Sequence, residues 1–273
     1  MVRSSWSLIG PLAGLCPSAG SEAETQKTEA TPIIAPRITT TSPQFEPKST
    51  YDQGGKEMKL LLYYAPMTCA LVPYVTLTEA GADFEVKNLN TRANQHKTPQ
   101  FLSLNPKHKV PVLVVDGEPL TENVALQIWI ARAFPQAKLL PADPKKEIGA
   151  ISLMAWFAST VHPHLTPNAR PENYCDLPGS EDSVKRVGNR MLFEDLEIAD
   201  GLLAGREWFL EHFTAVDAYF FWCFRRALSF RLDLAAFPHC MAHFERMKLR
   251  PSVRKVVAYE KDVQDEFAKA ASS

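Results

Sequence analysis

The stretch "MKLLLYYAPMTCALVPYV", residues 58–75, carries the pattern of the first two elements of the fold. Its first part, "KLLLYY", is a short apolar and aromatic run typical of a buried β-strand. The continuation "CALVPYVTLTEAG" has helical spacing and ends at Gly81, a residue suited to the left-handed position that closes a helix. The stretch therefore predicts a strand followed at once by a helix, with one thiol, Cys69, between them.

The next segments add a strand, a short helix and a two-stranded hairpin to this unit. "FEVKNLN" (residues 84–90) predicts a second strand, and "KTPQFLSLNP" (residues 97–106) predicts a short helix. "KVPVLVVDGEPLTEN" predicts two strands joined at Asp116-Gly117, because this dipeptide suits the left-handed dihedrals of a tight hairpin turn.

A helix and a linker close this first domain. "NVALQIWIARAF" has apolar residues on one helical face, and "PQAKLLPADP" (residues 135–144) carries three prolines and no periodicity. We expect an α+β protein with two domains. A β-α-β-α-β-β-α domain spans residues 58–138, and an all-α helical bundle spans residues 145–273.

The helical domain has one segment that is apolar nearly all round. This segment, "TAVDAYFFWCFRRAL", is expected to be a buried central helix. Thr214 and Asp217 have the spacing of a capping box, a role in stability worth about 0.5–2 kcal/mol rather than in chemistry. The last segment, "FPHCMAHFERMKLRPSVRKVVAYE", predicts two short helices broken at Pro251.

Charge and cysteine content exclude several classes of function. The chain has 30 Lys and Arg against 31 Asp and Glu, so phosphate-backbone binding and nucleic-acid partners are not expected. Its 5 cysteines are widely spaced without the rhythm of a metal site, which favours a reduced, cytoplasmic setting and no metal. No apolar run approaches the length of about 20 residues that a membrane-spanning helix needs, so no membrane association is expected.

Residues 1–57 differ in composition from the rest. They are rich in Ser, Thr, Pro and Glu, and they lack helical or strand periodicity, so we expect a disordered extension. Two origins stay open. The first residues weakly imitate a secretion signal that Pro11 interrupts, or the start was assigned too early and Met58 is the physiological first residue. We prefer the second origin, in which Met58 is the physiological first residue.

Several strings in fixed order resemble the glutathione transferase superfamily. They are "YYAPMTCALVPYVTLTEAG", "NPKHKVPVL", "LTENVALQIWIA", "FTAVDAYFFW" and "FERMKLRPSVRK". The resemblance covers residues 58 to about 262. Within the superfamily, a cysteine directly after the first strand and "STVHPHLTP" in the first long helix resemble the bacterial beta class.

The resemblance implies a thioredoxin-like first domain and an enzyme, a glutathione transferase that transfers alkyl or aryl groups. Glutathione would be the co-substrate for conjugating or reducing a small hydrophobic electrophile bound between the domains. The protein would be a cytoplasmic homodimer that serves detoxification. A non-catalytic binding protein, or a dehalogenase or ring-cleavage transferase on the same scaffold, stays open as an alternative.

The resemblance also implies which residues bind glutathione. Val110-Pro111 resembles the cis-proline site, where Val110 pairs with the cysteinyl backbone of glutathione like an added strand. Glu122 and Asn123, at the start of a helix, inherit the γ-glutamyl site; an ordinary helix cap is the alternative. Lys97, or else Arg92, is the candidate partner of the glycine carboxylate.

Cys69 and His162 are the predicted catalytic residues. We expect the helix start to lower the pKa of the Cys69 thiol. Cys69 would then donate a hydrogen bond to the glutathione thiolate or form a reversible mixed disulfide with glutathione, and the beta-class resemblance favours the disulfide. His162 resembles a histidine near the cysteine that assists proton transfer with a near-neutral pKa. A buried structural cysteine and a helix-end histidine are the alternatives.

Departures from the superfamily pattern bear on these expectations. Met67 and His108 stand where small or glycine residues are common, which motivates the non-catalytic alternative. Pro163 stands where the beta class often has a basic residue after the histidine, and it is expected to end or kink the helix. His164, two residues after His162, should face elsewhere if the helix continues.

Overall fold

The computed structural model of this protein describes residues 58–272. The predicted disordered extension, residues 1–57, lies outside the described residues. None of the helices described between residues 58 and 272 combines the length and the apolar composition needed to cross a membrane.

The first part of the described chain is a thioredoxin-like mixed sheet with helices against it. Its strands are β1 (Leu60–Tyr64), β2 (Glu85–Asn88), β3 (Val112–Val115) and β4 (Glu118–Thr121), in the spatial order β2-β1-β3-β4. Strand β1 pairs parallel with β2 and antiparallel with β3, and β3 pairs antiparallel with β4. Asp116 and Gly117 have φ of 48° and 96°, so the predicted hairpin turn is confirmed.

The helices of this first part follow the sequence pattern closely. They are α1 (Leu71–Glu79), α2 (Pro99–Leu104) and α3 (Asn123–Ala133). Gly81 follows α1 with a φ of 67°, the left-handed conformation that was expected there. Thr98, directly before α2, caps the helix, and its hydroxyl accepts the Phe101 N–H at 3.4 Å. The predicted β-α-β-α-β-β-α order is confirmed.

The second part is all-helical, as predicted. Its helices are α4 (Pro144–Trp156), α5 (His162–Ala169), α6 (Glu181–Leu203), α7 (Ala215–Ser229), α8 (Pro238–Lys248) and α9 (Pro251–Ser272). Pro163 does not end the helix: a π-helical turn, Phe157–Val161, precedes α5, and Pro163 occupies the first turn of α5. Helix α9 has 22 residues, so the expectation of a short final helix was wrong.

Two helices join the sheet part to the helical part. Helix α7, buried along nearly its whole length, packs against α1, α4 and α8. Helix α9 also packs on α1, and there Arg250 forms a two-pronged ion pair with Glu79 at 2.9 and 2.7 Å. Ser252 donates a further hydrogen bond to Glu79. The sheet part and the helical part therefore share one core.

The predicted capping box at the start of α7 is present and forms part of a larger network. The Thr214 N–H donates to the Asp217 carboxylate at 2.8 Å, and the Phe209 N–H donates to its other oxygen at 3.1 Å. The buried His243 ring lies 3.1 Å from that oxygen as well. Asp217 is fully buried, so these partners replace the water it lost on folding.

We expect Asp217→Ala to lower the free energy of unfolding by about 3 kcal/mol or more, because two buried backbone N–H groups and the His243 ring lose their acceptor. Thr214→Ala, the matched variant, removes only a cap hydroxyl and should cost about 1 kcal/mol. Urea unfolding followed by tryptophan fluorescence measures both values. Equal losses would show that the network beyond the cap contributes nothing.

Candidate functional site

Cys69 lies in the turn between β1 and α1, two residues before the first residue of the helix. Its side chain is buried, and its Sγ atom lies 3.6 Å from the Val110 carbonyl oxygen, to which it donates. The Val110-Pro111 peptide bond is cis, as expected. The Asn123 side chain donates to the Cys69 carbonyl at 2.8 Å. The structure thus brings the predicted residues Cys69, Val110, Pro111 and Asn123 together.

The thiol of Cys69 is not activated by its place near a helix start. Burial raises its pKa to about 12, outweighing the lowering effects of Asn123 and of the Lys109 charge. The predicted lowering of this pKa was therefore wrong, because the desolvation of a buried sulfur exceeds what the helix start supplies. At neutral pH the thiol keeps its proton and is a hydrogen-bond donor.

Glu122 and Asn123 begin helix α3 and have different roles there. Glu122 has a φ of 72°, a conformation that costs a non-glycine residue about 1–3 kcal/mol and is concentrated at functional sites. Its exposed carboxylate pairs with the Lys107 ammonium. The Asn123 side chain is already engaged by Cys69 and by Gln127, whose amide donates to it at 3.1 Å. For a ligand, Asn123 offers its backbone N–H at the helix start rather than its side chain.

His162 is the first residue of α5, and its ring packs edge-on against Trp222 with ring centroids 4.4 Å apart. Burial, together with the charges of Lys109 and Arg226, lowers the pKa of His162 to about 4. The expected near-neutral pKa was wrong, and the imidazole is uncharged at physiological pH. It can hydrogen-bond to a ligand but cannot supply a positive charge.

His164 faces away from His162, as the helical spacing predicted. Its Nδ1 atom lies 2.6 Å from the Asp195 carboxylate on α6. The pair ties α5 to α6. His164 is therefore a structural residue in this arrangement.

Lys97 is exposed at the end of a short 3₁₀ turn, Gln95–Lys97. Within residues 58–272 its side chain makes no hydrogen bond or ion pair with the other predicted site residues. Its surroundings are basic. Burial lowers the pKa of the neighbouring His96 most, and the charges of Lys97 and His108 lower it further. Arg92 belongs to the same exposed loop, and its charge acts on Arg226 of α7.

Glu260, which the sequence reasoning missed, holds the loop that precedes the thiol. It lies on α9 and is 1% exposed. One carboxylate oxygen accepts the Tyr64 hydroxyl at 2.6 Å and the Met67 N–H at 2.8 Å. The other lies 2.6 Å from Arg225 Nη2. A buried carboxylate with these three partners fixes the backbone two residues before Cys69.

A signal for Glu260 was present in the sequence. The buried positions of α9 recur at helical spacing, and Glu260 occupies one of them between valines. After Ser252 in the first turn, these positions are Val253, Val256, Glu260 and Val263. A carboxylate on an apolar helix face requires a buried partner, so the pattern predicts an ion pair even though it cannot name Arg225.

Met67 and His108, which depart from the superfamily pattern, share one backbone property. Their φ angles are 62° and 47°, in the left-handed region where glycine is favoured. The backbone keeps this conformation at both positions without glycine. The two departures therefore leave the left-handed path of each loop in place, and they weaken the case for a non-catalytic protein.

A family model and curated relatives match this chain. The model described as "Glutathione S-transferase, N-terminal domain" matches residues 58–132. Glutathione S-transferase GstA of Escherichia coli O157:H7 is 30% identical over 203 residues, which cover 73% of this chain and 98% of the relative. Glutathione S-transferase 3 of Zea mays is 31% identical over 218 residues, which cover 73% of this chain and 93% of the relative.

Solved structures of related proteins share the fold. The bacterial beta class glutathione S-transferase of Sphingomonas chungbukensis has a TM-score of 0.66 and 30% identity, covering 73% of this chain and 98% of that one. A sphingomonad glutathione S-transferase complexed with glutathione has a TM-score of 0.65 and 29% identity, covering 74% and 98%.

We expect Glu260→Gln to speed the alkylation of Cys69 by iodoacetamide about tenfold, because an amide cannot neutralise Arg225 and the Met67 loop then opens more often. Peptide mass spectrometry at one fixed pH separates Cys69 from the other cysteines. Asp262→Asn, at an exposed position of the same helix, is the control and should leave the rate unchanged. Identical rates in both variants would contradict a role of Glu260 in holding the loop.

Proposed function

The chain belongs to the glutathione S-transferase family, and we propose that it conjugates glutathione to small hydrophobic electrophiles, with Cys69 as a hydrogen-bond donor to the glutathione sulfur. The observation that carries this proposal is the buried, protonated Cys69 thiol, 3.6 Å from the Val110 carbonyl and beside the start of α3. The same place is where the family resemblance puts the thiol of glutathione.

The protonated state of Cys69 favours the donor role over the mixed disulfide, the two mechanisms left open by the sequence. Disulfide exchange needs a thiolate, and a thiol with a pKa near 12 is almost fully protonated at pH 7. A donor role needs a protonated thiol. The Cys69 S–H can rotate away from the Val110 carbonyl and donate to a bound glutathione thiolate. In the reaction the glutathione thiol releases its proton to solvent, and its sulfur bonds to the electrophile. The leaving group departs with the bonding electrons.

The start of α3 is the proposed site of the γ-glutamyl group. Its α-carboxylate would meet the backbone N–H of Asn123 at the positive end of the helix. Its ammonium would meet the Glu122 carboxylate, which in the free protein pairs with Lys107. The strained Glu122 backbone supports this assignment because residues held in such conformations concentrate at binding sites.

The remaining parts of glutathione extend from Cys69 towards the exposed loop. Val110, beside the cis peptide bond with Pro111, would pair with the cysteinyl backbone. Lys97, in the basic neighbourhood of His96, is the proposed partner of the glycine carboxylate. The electrophile would lie on the far side of the thiol, towards the His162 and Trp222 rings of the helical part. A cytoplasmic location is proposed with this function.

The test is turnover of a dinitrochlorobenzene with glutathione, combined with binding to immobilised glutathione. We expect Cys69→Ala to lower kcat/KM about tenfold or more, since it removes a hydrogen bond to a charged sulfur. Cys69→Ser should keep much of the activity because the hydroxyl still donates. Incubation with oxidised glutathione should give no adduct on Cys69 by mass spectrometry.

The outcomes separate the function from its mechanism. Absence of saturable glutathione binding and of turnover would overturn the transferase proposal and favour a binding protein. A reductant-sensitive adduct that Cys69→Ser abolishes, together with normal turnover, would keep the transferase and replace the donor role by the mixed disulfide.

We also propose that the protein is a homodimer, because helix α6 exposes an apolar stripe. The stripe consists of Val184, Val187, Met191, Ile198 and Leu202, which recur every three, four or seven residues on one helical face. Ile198 is 54% exposed and Val187 is 44% exposed. A second copy of the chain would cover this stripe in a two-fold contact, since the same patch is self-complementary.

We expect the double variant Val187→Glu and Met191→Glu to convert the dimer to a monomer in size-exclusion chromatography with light scattering, because it places carboxylates in the contact. Arg186→Glu, at an exposed position on the polar side of the same helix, should leave the mass unchanged. A monomeric wild-type protein, or a dimer that survives the double variant, would contradict this interface.

A further inference from the structure

Residues 105–110 form a loop that passes beside the Cys69 thiol, and a buried asparagine fixes its path. Asn105 is 1% exposed. Its side-chain oxygen accepts the Lys107 N–H at 3.2 Å, and its amide donates to the Lys109 carbonyl at 2.8 Å. The His108 N–H donates to the Asn105 carbonyl at 3.0 Å. Asn105 therefore fixes the backbone conformation around Lys107 and Lys109.

The two lysines of this loop have different surroundings. The Lys107 ammonium is engaged by the Thr121 hydroxyl at 2.9 Å and by the Glu122 carboxylate. Lys109 is exposed, and its ammonium has no hydrogen-bond or ion-pair partner in the part of the chain that the structure describes. Lys109 directly precedes Val110, whose carbonyl accepts the Cys69 thiol. An uncompensated positive charge therefore stands one residue from the sulfur contact.

The charge of Lys109 acts on both chemical groups of the site. At the Cys69 thiol the Lys109 charge favours a lower pKa, which opposes the effect of burial. At His162 burial is the largest cause of the lowered pKa, and the Lys109 charge is the next. The Lys109 charge therefore acts on two groups that come from different parts of the fold, and Lys109 adjoins the residue whose carbonyl contacts the thiol. A negative charge placed between them would be attracted to Lys109.

The other cations near the site either have a carboxylate partner or, like Arg226, act on His162 and are not among the charges that act on the Cys69 thiol. Arg225 pairs with the buried Glu260, and Lys107 pairs with Glu122. His162 is neutral at physiological pH because burial and the nearby cations lower its pKa. Within residues 58–272, Lys109 is therefore the cation without a carboxylate partner whose charge acts on the Cys69 sulfur.

We propose that the Lys109 ammonium stabilises the anionic sulfur of bound glutathione, a role that rests on the proposed transferase function. Lys109 keeps its own proton throughout. The glutathione thiol loses its proton to solvent, and the resulting thiolate is held by the Lys109 charge and the Cys69 S–H. Its electron pair then forms the carbon–sulfur bond as the leaving group departs. Lys109 thus acts through its charge, and the group whose pKa it lowers is the thiol of glutathione.

The test compares the pH dependence of kcat/KM in the full-length protein and three variants. Lys109→Met is expected to move the acidic limb of the profile about one pH unit towards alkaline pH, with about a tenfold loss of rate below that limb. Lys109→Arg keeps the charge and should restore the profile. Lys145→Met removes an exposed charge at the start of α4 and should overlay the wild type. Ultraviolet absorbance of the thiolate in the glutathione complex gives the same shift without turnover.

The results distinguish this inference from the function on which it rests. A wild-type protein without glutathione binding or turnover would overturn the proposed function itself. An active wild type with an unshifted profile in Lys109→Met would overturn the role of Lys109 alone. A uniform loss of rate at every pH, with the same thiol pKa in the complex, would also overturn it, because that result indicates a structural effect on the loop.

Discussion

The buried carboxylate of Glu260 is the interaction on which the site most depends. It joins the final helix to the end of β1 through Tyr64, to the turn before Cys69 through Met67 and to α7 through Arg225. Each partner comes from a different element, so the geometry around Cys69 depends on the helical part being docked. A buried ion pair is weak evidence for stability, but three charge-assisted contacts at 2.6–2.8 Å specify one arrangement of these elements.

Burial and charge oppose each other at the sulfur position. The apolar surroundings that shape the pocket raise the pKa of Cys69, and the same surroundings disfavour any thiolate placed beside it. A cation at the edge of a desolvated site acts with little screening, so one unpaired lysine counts for more there than on the open surface. The neutral state of His162 follows from the same balance, since burial and Lys109 both disfavour its charged form.

The sequence predicted local structure well and long-range chemistry poorly. The Asp116-Gly117 turn, the left-handed Gly81 and the Thr214 cap depend on residues near in sequence, so their patterns sufficed. The pKa of Cys69 was predicted with the wrong sign because burial by distant elements does not show in a local motif. Glu260 was missed for the same reason: its partners lie 35 residues or more away along the chain, as Arg225 and Tyr64 do.

Strained backbone and buried anchors occur together around the thiol. Met67, His108 and Glu122 all have left-handed φ angles without being glycine, which costs each of them about 1 kcal/mol or more. In each case a buried polar side chain binds the backbone close by. Glu260 accepts the Met67 N–H, and the Asn105 side chain accepts the Lys107 N–H and donates to the Lys109 carbonyl, on either side of His108. For Glu122 the anchor is its neighbour Asn123, bonded to the Cys69 carbonyl. These contacts fix the loop conformations, so the strained dihedrals persist. The loops can then present backbone N–H groups and carbonyls to a ligand.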